Sequence, residues 1–598
     1  TWTFSGAATH TGATTINQGT LVLSGTLGAS SAVSVADGAT LRLGTSGSLA
    51  SSTAASVAAG ATLDLNGRSQ TLGGLSGAGS LLLGAGNLSV NAASDATFSG
   101  VISGSGALAK SGAGTLVLDG ANTYTGATTV SAGTLRLGSS GSLASSTAAS
   151  VAAGATLDLN GRNQEVSVLN GAGAVALGSG QLTVSGTGDS TFEGTLAGTG
   201  SLVKSGSGIL NLFGSVSHTG GTTVSAGTLA LGSSDLLSGA VTLSGTATLD
   251  LGFSDQTVGA LTLSGGTVAG IGTLNGASVT VNNSSGTVVV ESSLASAGVL
   301  VKSGAGTLDL RSVATIAGGV QVTGGVLSVA NGGSFGTTVD VTLSGGTLDL
   351  DLASLEVGSF NLVSGSLLGA GVLTAGSFDI AAASGNLTIA AQLAGEGALT
   401  KTGAGNLVLT GSNSFSGGFI IDAGTVTINS LASLGSGSVD LGASTLLRLD
   451  LAEGSELAGS DLASISGAGV LEIGVGSTGS AILTQLEGFA GTIRLTSGTF
   501  DATDFTGSVV LAGGNLLNAG SFTGSAVITG NVTDISQLPT GGTLLLESGA
   551  SIDFGSTAFS GAITYRGGSV SGEGFTGTLN VQGSNVAVSG SFGNGKLS

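Results

Sequence analysis

The chain has 598 residues, of which 113 are Gly, one is Pro and none is Cys; 8% are charged and 41% hydrophobic. The single proline excludes a collagen-like helix, the apolar content excludes a disordered Gly/Ser linker, and the missing Cys excludes disulfides and thiolate metal sites. The net charge of −20 disfavours nucleic acid and anionic membrane surfaces as partners and suits a soluble, self-repelling surface.

Taken from the N-terminus, residues 1–4 (TWTF) already alternate as a strand does. Thr-Leu-x-Leu then appears at Thr20, Thr40 and Thr62, and again at Thr115, Thr134 and Thr156, in steps of 19 to 22 residues within each group. The middle "x" is Val, Arg or Asp while its Leu neighbours stay apolar, as one buried face requires. Residues 46–68 and 140–162 are identical at an offset of 94, which points to recent duplication and an adjustable repeat count. Lys-[Ser/Thr]-Gly-x-Gly recurs at Lys110, Lys204, Lys302 and Lys401, with spacings of 94, 98 and 99 residues. Each lysine opens a glycine turn, so a solvated ammonium is expected there. Towards the C-terminus a shorter unit begins at Phe489, Phe505, Phe522, Phe559, Phe575 and Phe592, with Pro539 in the same place once. Regularly placed Phe predicts an internal aromatic stack.

Coils of about 16–22 residues with short strands and glycine turns predict an all-β fold, a right-handed parallel β-helix (β-solenoid). At ~20 residues per coil there would be roughly 30 coils, and a rod on the order of 140 Å. The expected organisation is one continuous solenoid over 1–598. It comprises N-terminal coils at 1–107, superrepeats at 108–201, 202–299, 300–398 and 399–488, and Phe-x-Gly coils at 489–598. No apolar run reaches the ~18 residues of a membrane helix, so no membrane insertion of this segment is expected. Residue 1 is Thr and no basic-then-apolar leader follows, which reads as a mature product or a fragment.

The stretch 108–138, LAKSGAGTLVLDGANTYTGATTVSAGTLRLG, resembles the autotransporter-associated β-strand repeat of bacterial type V secreted passengers. Residues 202–232, 300–329 and 399–428 are weaker copies, with His218, Ile316 and Phe415 in the place of Tyr124. Residues 1–23 look like the same motif with its front missing, so that Trp2 falls on Leu116 and His10 on Tyr124. The resemblance implies a passenger exported through the outer membrane and folded outside the cell, on the bacterial surface or in its matrix. A cysteine-free chain fits that route, because a periplasmic disulfide would obstruct passage.

No enzyme chemistry is expected, and no cofactor. His10 and His218 lie about ten coils apart, roughly 50 Å, and cannot share a metal or a proton. Residues 332–336 satisfy G-x-S-x-G and 572–577 satisfy G-x-G-x-x-G, without the strand-then-helix context either chemistry needs. Residues 590–596 approach a phosphate loop, but Leu597 stands where Ser or Thr should bind magnesium. Asp349 with Asp351, and Asp501 with Asp504, leave calcium as the one ion open; a solvated acidic face is the plainer reading.

The ends carry the sharper expectation, because open solenoid edges expose unpaired strands and bore residues. Trp2 and Phe4 at one end, and Phe592, Lys596 and Leu597 at the other, would be inter-subunit contacts of a head-to-tail homopolymer. The chain would then be a structural protein of an extracellular fibre. The alternatives are a fragment of an adhesin or biofilm passenger that presents a binding face to a host or neighbouring cell, and a polysaccharide-acting β-helix enzyme.

Overall fold

The computed structural model describes residues 1–144, 147–336, 338–462, 464–476, 479–482, 489–501, 508–513, 515–517, 525–529, 531–532, 543–547, 550–553, 562–566, 569–571, 578–582 and 596–597. Two compact units are present: 1–300 with 304–316, and 301–303 with 317–598. Among the described residues there is no α-helix, and no helix long and apolar enough to cross a membrane.

In the first unit, β1 (Trp2–Phe4), β2 (Ala7–Ala8) and β3 (Thr14–Ile16) make one coil, and β4 (Thr20–Leu23), β5 (Thr26–Leu27) and β6 (Ala32–Val35) make the next. β1 pairs with β4, β2 with β5 and β3 with β6, all parallel. Three faces per coil therefore stack into three ladders. The remainder of each coil serves as the crossover that parallel pairing demands. The Thr-Leu-x-Leu strands lie in register, Thr20 on Thr40 on Thr62, and Thr115 on Thr134 on Thr156. Leu21 is only half-buried, but Leu41, Leu63, Leu116, Leu135 and Leu157 are all buried. The core is that of a parallel sheet, rich in Leu, Val and Ile, with Phe98 and Phe192 also buried.

Turn chemistry repeats with the strands. After four of the five Thr-Leu-Asp-Leu segments the chain turns through a left-handed residue: Asn66 and Asn160 at φ 50°, Gly252 at 56° and Asp351 at 48°. In each case the preceding aspartate caps the turn. Asp64, Asp158, Asp250 and Asp349 accept from the main-chain N–H two residues on, at 2.7, 2.8, 2.9 and 3.0 Å. At another corner the backbones of successive coils nearly touch. A Cβ on Gly106 would land on the carbonyl oxygen of Gly86.

The second unit has the same ladder logic. Val341–Asp349 pairs with Phe360–Leu368, and Ser354–Val357, Val372–Ala375 and Gln392–Ala394 form a separate ladder. Aromatic packing occurs here: the Phe415 ring lies 6.1 Å from Phe378 and 6.2 Å from Phe419. Of the stack expected near the C-terminus, Phe489 is half-buried, while Phe505, Phe522, Pro539, Phe559, Phe575 and Phe592 lie outside the described residues.

Candidate functional site

The four repeated lysines overturn the expectation of a solvated ammonium: Lys110, Lys204, Lys302 and Lys401 are all buried. Strand alternation places them there. In Leu108–Ser111 the inward residues are Leu108 and Lys110, and Lys110 stacks between Val90 and Val130. Lys401 likewise stacks between Ile380 and Ile421. Each ammonium turns back to main-chain carbonyls at the corner. Lys110 Nζ donates to Ser111, Gly112 and Ala132 at 3.0, 2.8 and 3.1 Å. Lys401 Nζ donates to Thr402, Gly403 and Ala423 at 3.0, 2.7 and 3.0 Å. The partners of Lys204 include Gly206 and Ala226, and those of Lys302 include Ser303 and Gly324. Three donors meet three acceptors drawn from two successive coils, so the lysine ties the coils together at that corner. Burial holds each of the four below the ordinary lysine pKa. The spacing Leu-x-Lys was the missed signal, since it puts the lysine on the leucine's face.

The aromatic position of the motif is a packing site matched to the residue four further on. Tyr124 is buried, and its hydroxyl meets Thr128 Oγ1 at 2.6 Å. Burial pushes its phenol upward. His218 is buried too, with Nε2 at 3.2 Å from the Gly221 carbonyl and 3.1 Å from Thr222 Oγ1. A carbonyl only accepts, so Nε2 carries the proton. Nδ1 is left buried without a hydrogen-bond partner, and burial holds the imidazole pKa down. Where the position is apolar, so is its partner: the Phe415 ring packs edge-on against Phe419. His10 is exposed, with Nε2 at 2.9 Å from Thr14 Oγ1.

Sequence reasoning also missed the buried amides. Gln70 accepts from Leu49 N–H at 3.0 Å and donates to the Leu49 carbonyl at 3.0 Å. Gln164 repeats this on Leu143, at 2.8 and 3.2 Å. Their side chains take the place of a peptide group where the ladder would otherwise be unpaired.

The remaining candidates do not converge. Asp349 is spent on its turn, and Arg311 pairs with Glu291 and Asp309 at 3.2 and 2.8 Å. Among the described residues no three His, Asp or Glu side chains could hold a metal together. The side chain of Asp501 and the whole of Asp504, 572–577 and 590–595 lie outside the described residues. Of the end residues, Trp2 is 82% exposed and Phe4 37% exposed. Lys596 and Leu597 pair with Thr578 and Leu579.

The fold and its corners define a class: repeat solenoids whose coils are locked by buried lysines and amides. Five segments, 1–23, 108–137, 202–231, 300–329 and 399–428, match the passenger-associated-transport-repeat family. The chain is 32% identical over 204 residues to the adhesin BmaC autotransporter of Brucella suis biovar 1 (strain 1330), which covers 32% of this chain and 6% of that protein. No solved structure matches. The repeats and this similarity support an autotransporter passenger built on such repeats, and so a secreted or cell-surface protein. It spans a small fraction of the length of the relative it matches.

Proposed function

We propose that the chain is a non-enzymatic, adhesin-type stretch of a bacterial surface passenger: a stiff scaffold whose outer turns present contact residues to a host or neighbouring cell. What supports this reading is the seating of the transport-repeat motif. Its lysine and aromatic side chains are consumed in packing, which leaves variable outer turns as the surface available for recognition. The similarity to a protein named as an adhesin supports it as well. The experiment displays the full chain on a non-adherent bacterium and counts attachment to cultured epithelial cells and to bacteria of the same kind. Attachment equal to the undisplayed strain on both surfaces overturns the reading, and turnover in a glycan-degradation assay would replace it with an enzymatic one.

Head-to-tail polymerisation is a second reading. β1 carries the exposed Trp2 and pairs with β4, and a coil of matching register from a second copy would cover it. Light scattering at high concentration, read with Trp emission, tests it. A monomer with water-exposed emission removes the polymer.

A further inference from the structure

One corner of the first unit carries apolar side chains that the fold does not use. Phe253 is 89% exposed, Ile271 73% and Phe213 55%. They share a single turn column. Leu212 pairs with Leu231, Ala230 pairs with Asp250, and Ile271 N–H donates to the Gly252 carbonyl at 2.8 Å. Phe213, Gly232, the Gly252–Phe253 turn and Ile271 therefore sit on four consecutive coils, over roughly 14 Å at ~4.8 Å per coil. The Phe213 ring lies against Gly232, where a Cβ would collide with it.

Equivalent turns elsewhere in the chain form with other residues at these positions. Phe253 follows its left-handed residue as Gly67 follows Asn66 and Gly161 follows Asn160. Phe213 stands where Asp119, Arg311 and Thr410 stand in the other repeats, and Ile271 where Ala85, Ser179 and Ala370 stand. Two positions that are polar or small elsewhere are large and apolar in this column, and the Phe253 position, Gly in two turns, is the exposed Leu352 in a third. Such a ridge is exposed at a solubility cost, with Phe213 alone partly covered by its contact with Gly232.

The rim is acidic. Residues 205–301 contain no Lys or Arg. Glu193, on the coil before Phe213, and Asp235 and Asp255, in the turns between, are exposed. Asp235 and Asp255 each spend one oxygen on a main-chain N–H, of Thr257 at 3.2 Å and Thr273 at 2.7 Å. Beyond Ile271, Glu291 and Asp309 already hold Arg311.

We infer that the Phe213–Phe253–Ile271 ridge is the adhesive contact surface of this segment, and that its occupant is a protein whose apolar patch is rimmed by Lys or Arg. The inference rests on the adhesin reading above and names the partner class. A second copy of the chain would bring the same carboxylates against these, and an anionic bilayer would be repelled.

The test uses the full chain and the triple variant Phe213→Thr, Phe253→Gly, Ile271→Ala, each substitution taken from an equivalent turn of the same protein. Unchanged circular dichroism and melting confirm the fold, and Phe253→Gly alone serves if the triple variant is perturbed. The probe is a synthetic peptide of alternating Leu and Lys, with an alternating Leu and Glu peptide as counterpart, both read by fluorescence anisotropy. The parent should bind the basic peptide at least about tenfold more tightly than the triple variant, less so at high salt, and should not bind the acidic one. Equal affinity of parent and variant for the basic peptide overturns the inference, as does equal binding of the two peptides. So does a triple-sensitive interaction found only with neutral oligosaccharide or lipid vesicles. Attachment of the displayed chain is scored in parallel, and its loss in the triple variant supports the ridge. Attachment retained in the variant overturns the ridge and leaves the adhesin reading standing. No attachment by the parent overturns the adhesin reading, and with it the ridge as an adhesive surface.

Discussion

Repeats 108–137 and 202–231 fold around the same buried lysine, yet they close the coil after it by different means. In the second, Val216–His218 is a strand laid on Thr195–Gly198, and Leu196 N–H donates to the Ser215 carbonyl at 3.0 Å. In the first, no strand forms at the corresponding place. Ile102 N–H donates instead to Asn122 Oδ1 at 2.9 Å, and Asn122 Nδ2 reaches the Ser142 carbonyl at 2.9 Å. The other two repeats divide the same way. Ala314–Ile316 is a strand, whereas Asn413 accepts from Leu393 N–H at 2.8 Å and donates to the Ser433 carbonyl at 2.6 Å. A side-chain amide presents the same donor and acceptor as a peptide group, so one Asn can stand in for a rung of the ladder. The lysine has no such substitute, because no other residue in these columns supplies three donors to the corner carbonyls.

That asymmetry ranks the ways to break the comparison. Lys110→Met should cost most, about 3–4 kcal/mol, because the buried lysine's three hydrogen bonds to half-buried carbonyls are lost together. Amide exchange at Ser131, whose N–H donates to the Lys110 carbonyl at 2.8 Å, should accelerate accordingly. Gly106→Ala, which drives a methyl into the Gly86 carbonyl, should cost about 2–3 kcal/mol, read as a lowered unfolding midpoint in urea. Asn122→Val, which installs the residue of the neighbouring repeat, should cost about 1–2 kcal/mol. Faster exchange of the Ile102 amide would show the lost rung, whereas unchanged exchange would mean that a strand like Val216–His218 has formed. The smallest effect separates the repeats by pH. Burial holds His218 below its ordinary 6.5, so the unfolded chain takes up the proton more readily and stability falls as pH drops below that value. The melting midpoint should therefore be lower at pH 5 than at pH 7, and His218→Tyr, which copies the Tyr124–Thr128 pair, should shrink that difference.

The ladders were legible because the information is one-dimensional. A coil contacts the next coil about twenty residues away, so period and alternation together specify register, and Thr20, Thr40 and Thr62 fall where their spacing puts them. Alternation also held the position of the lysines, in Leu-x-Lys, but composition argued against burying a charge, and only the converging carbonyls of two coils explain why it is tolerated. The buried amides were illegible for a related reason. Gln70 and Asn122 read as ordinary polar turn residues until the missing rung they replace is seen.

By itself, then, the sequence determined the parallel solenoid, its repeat and the inward Leu columns, because those depend on spacing along the chain. Only the tertiary structure decided what fills each corner, and that Phe213, Phe253 and Ile271 share one outer column while Lys110 is inside. Those facts depend on which turns of successive coils lie side by side, where differences of one or two residues in coil length move a side chain from one column to the next.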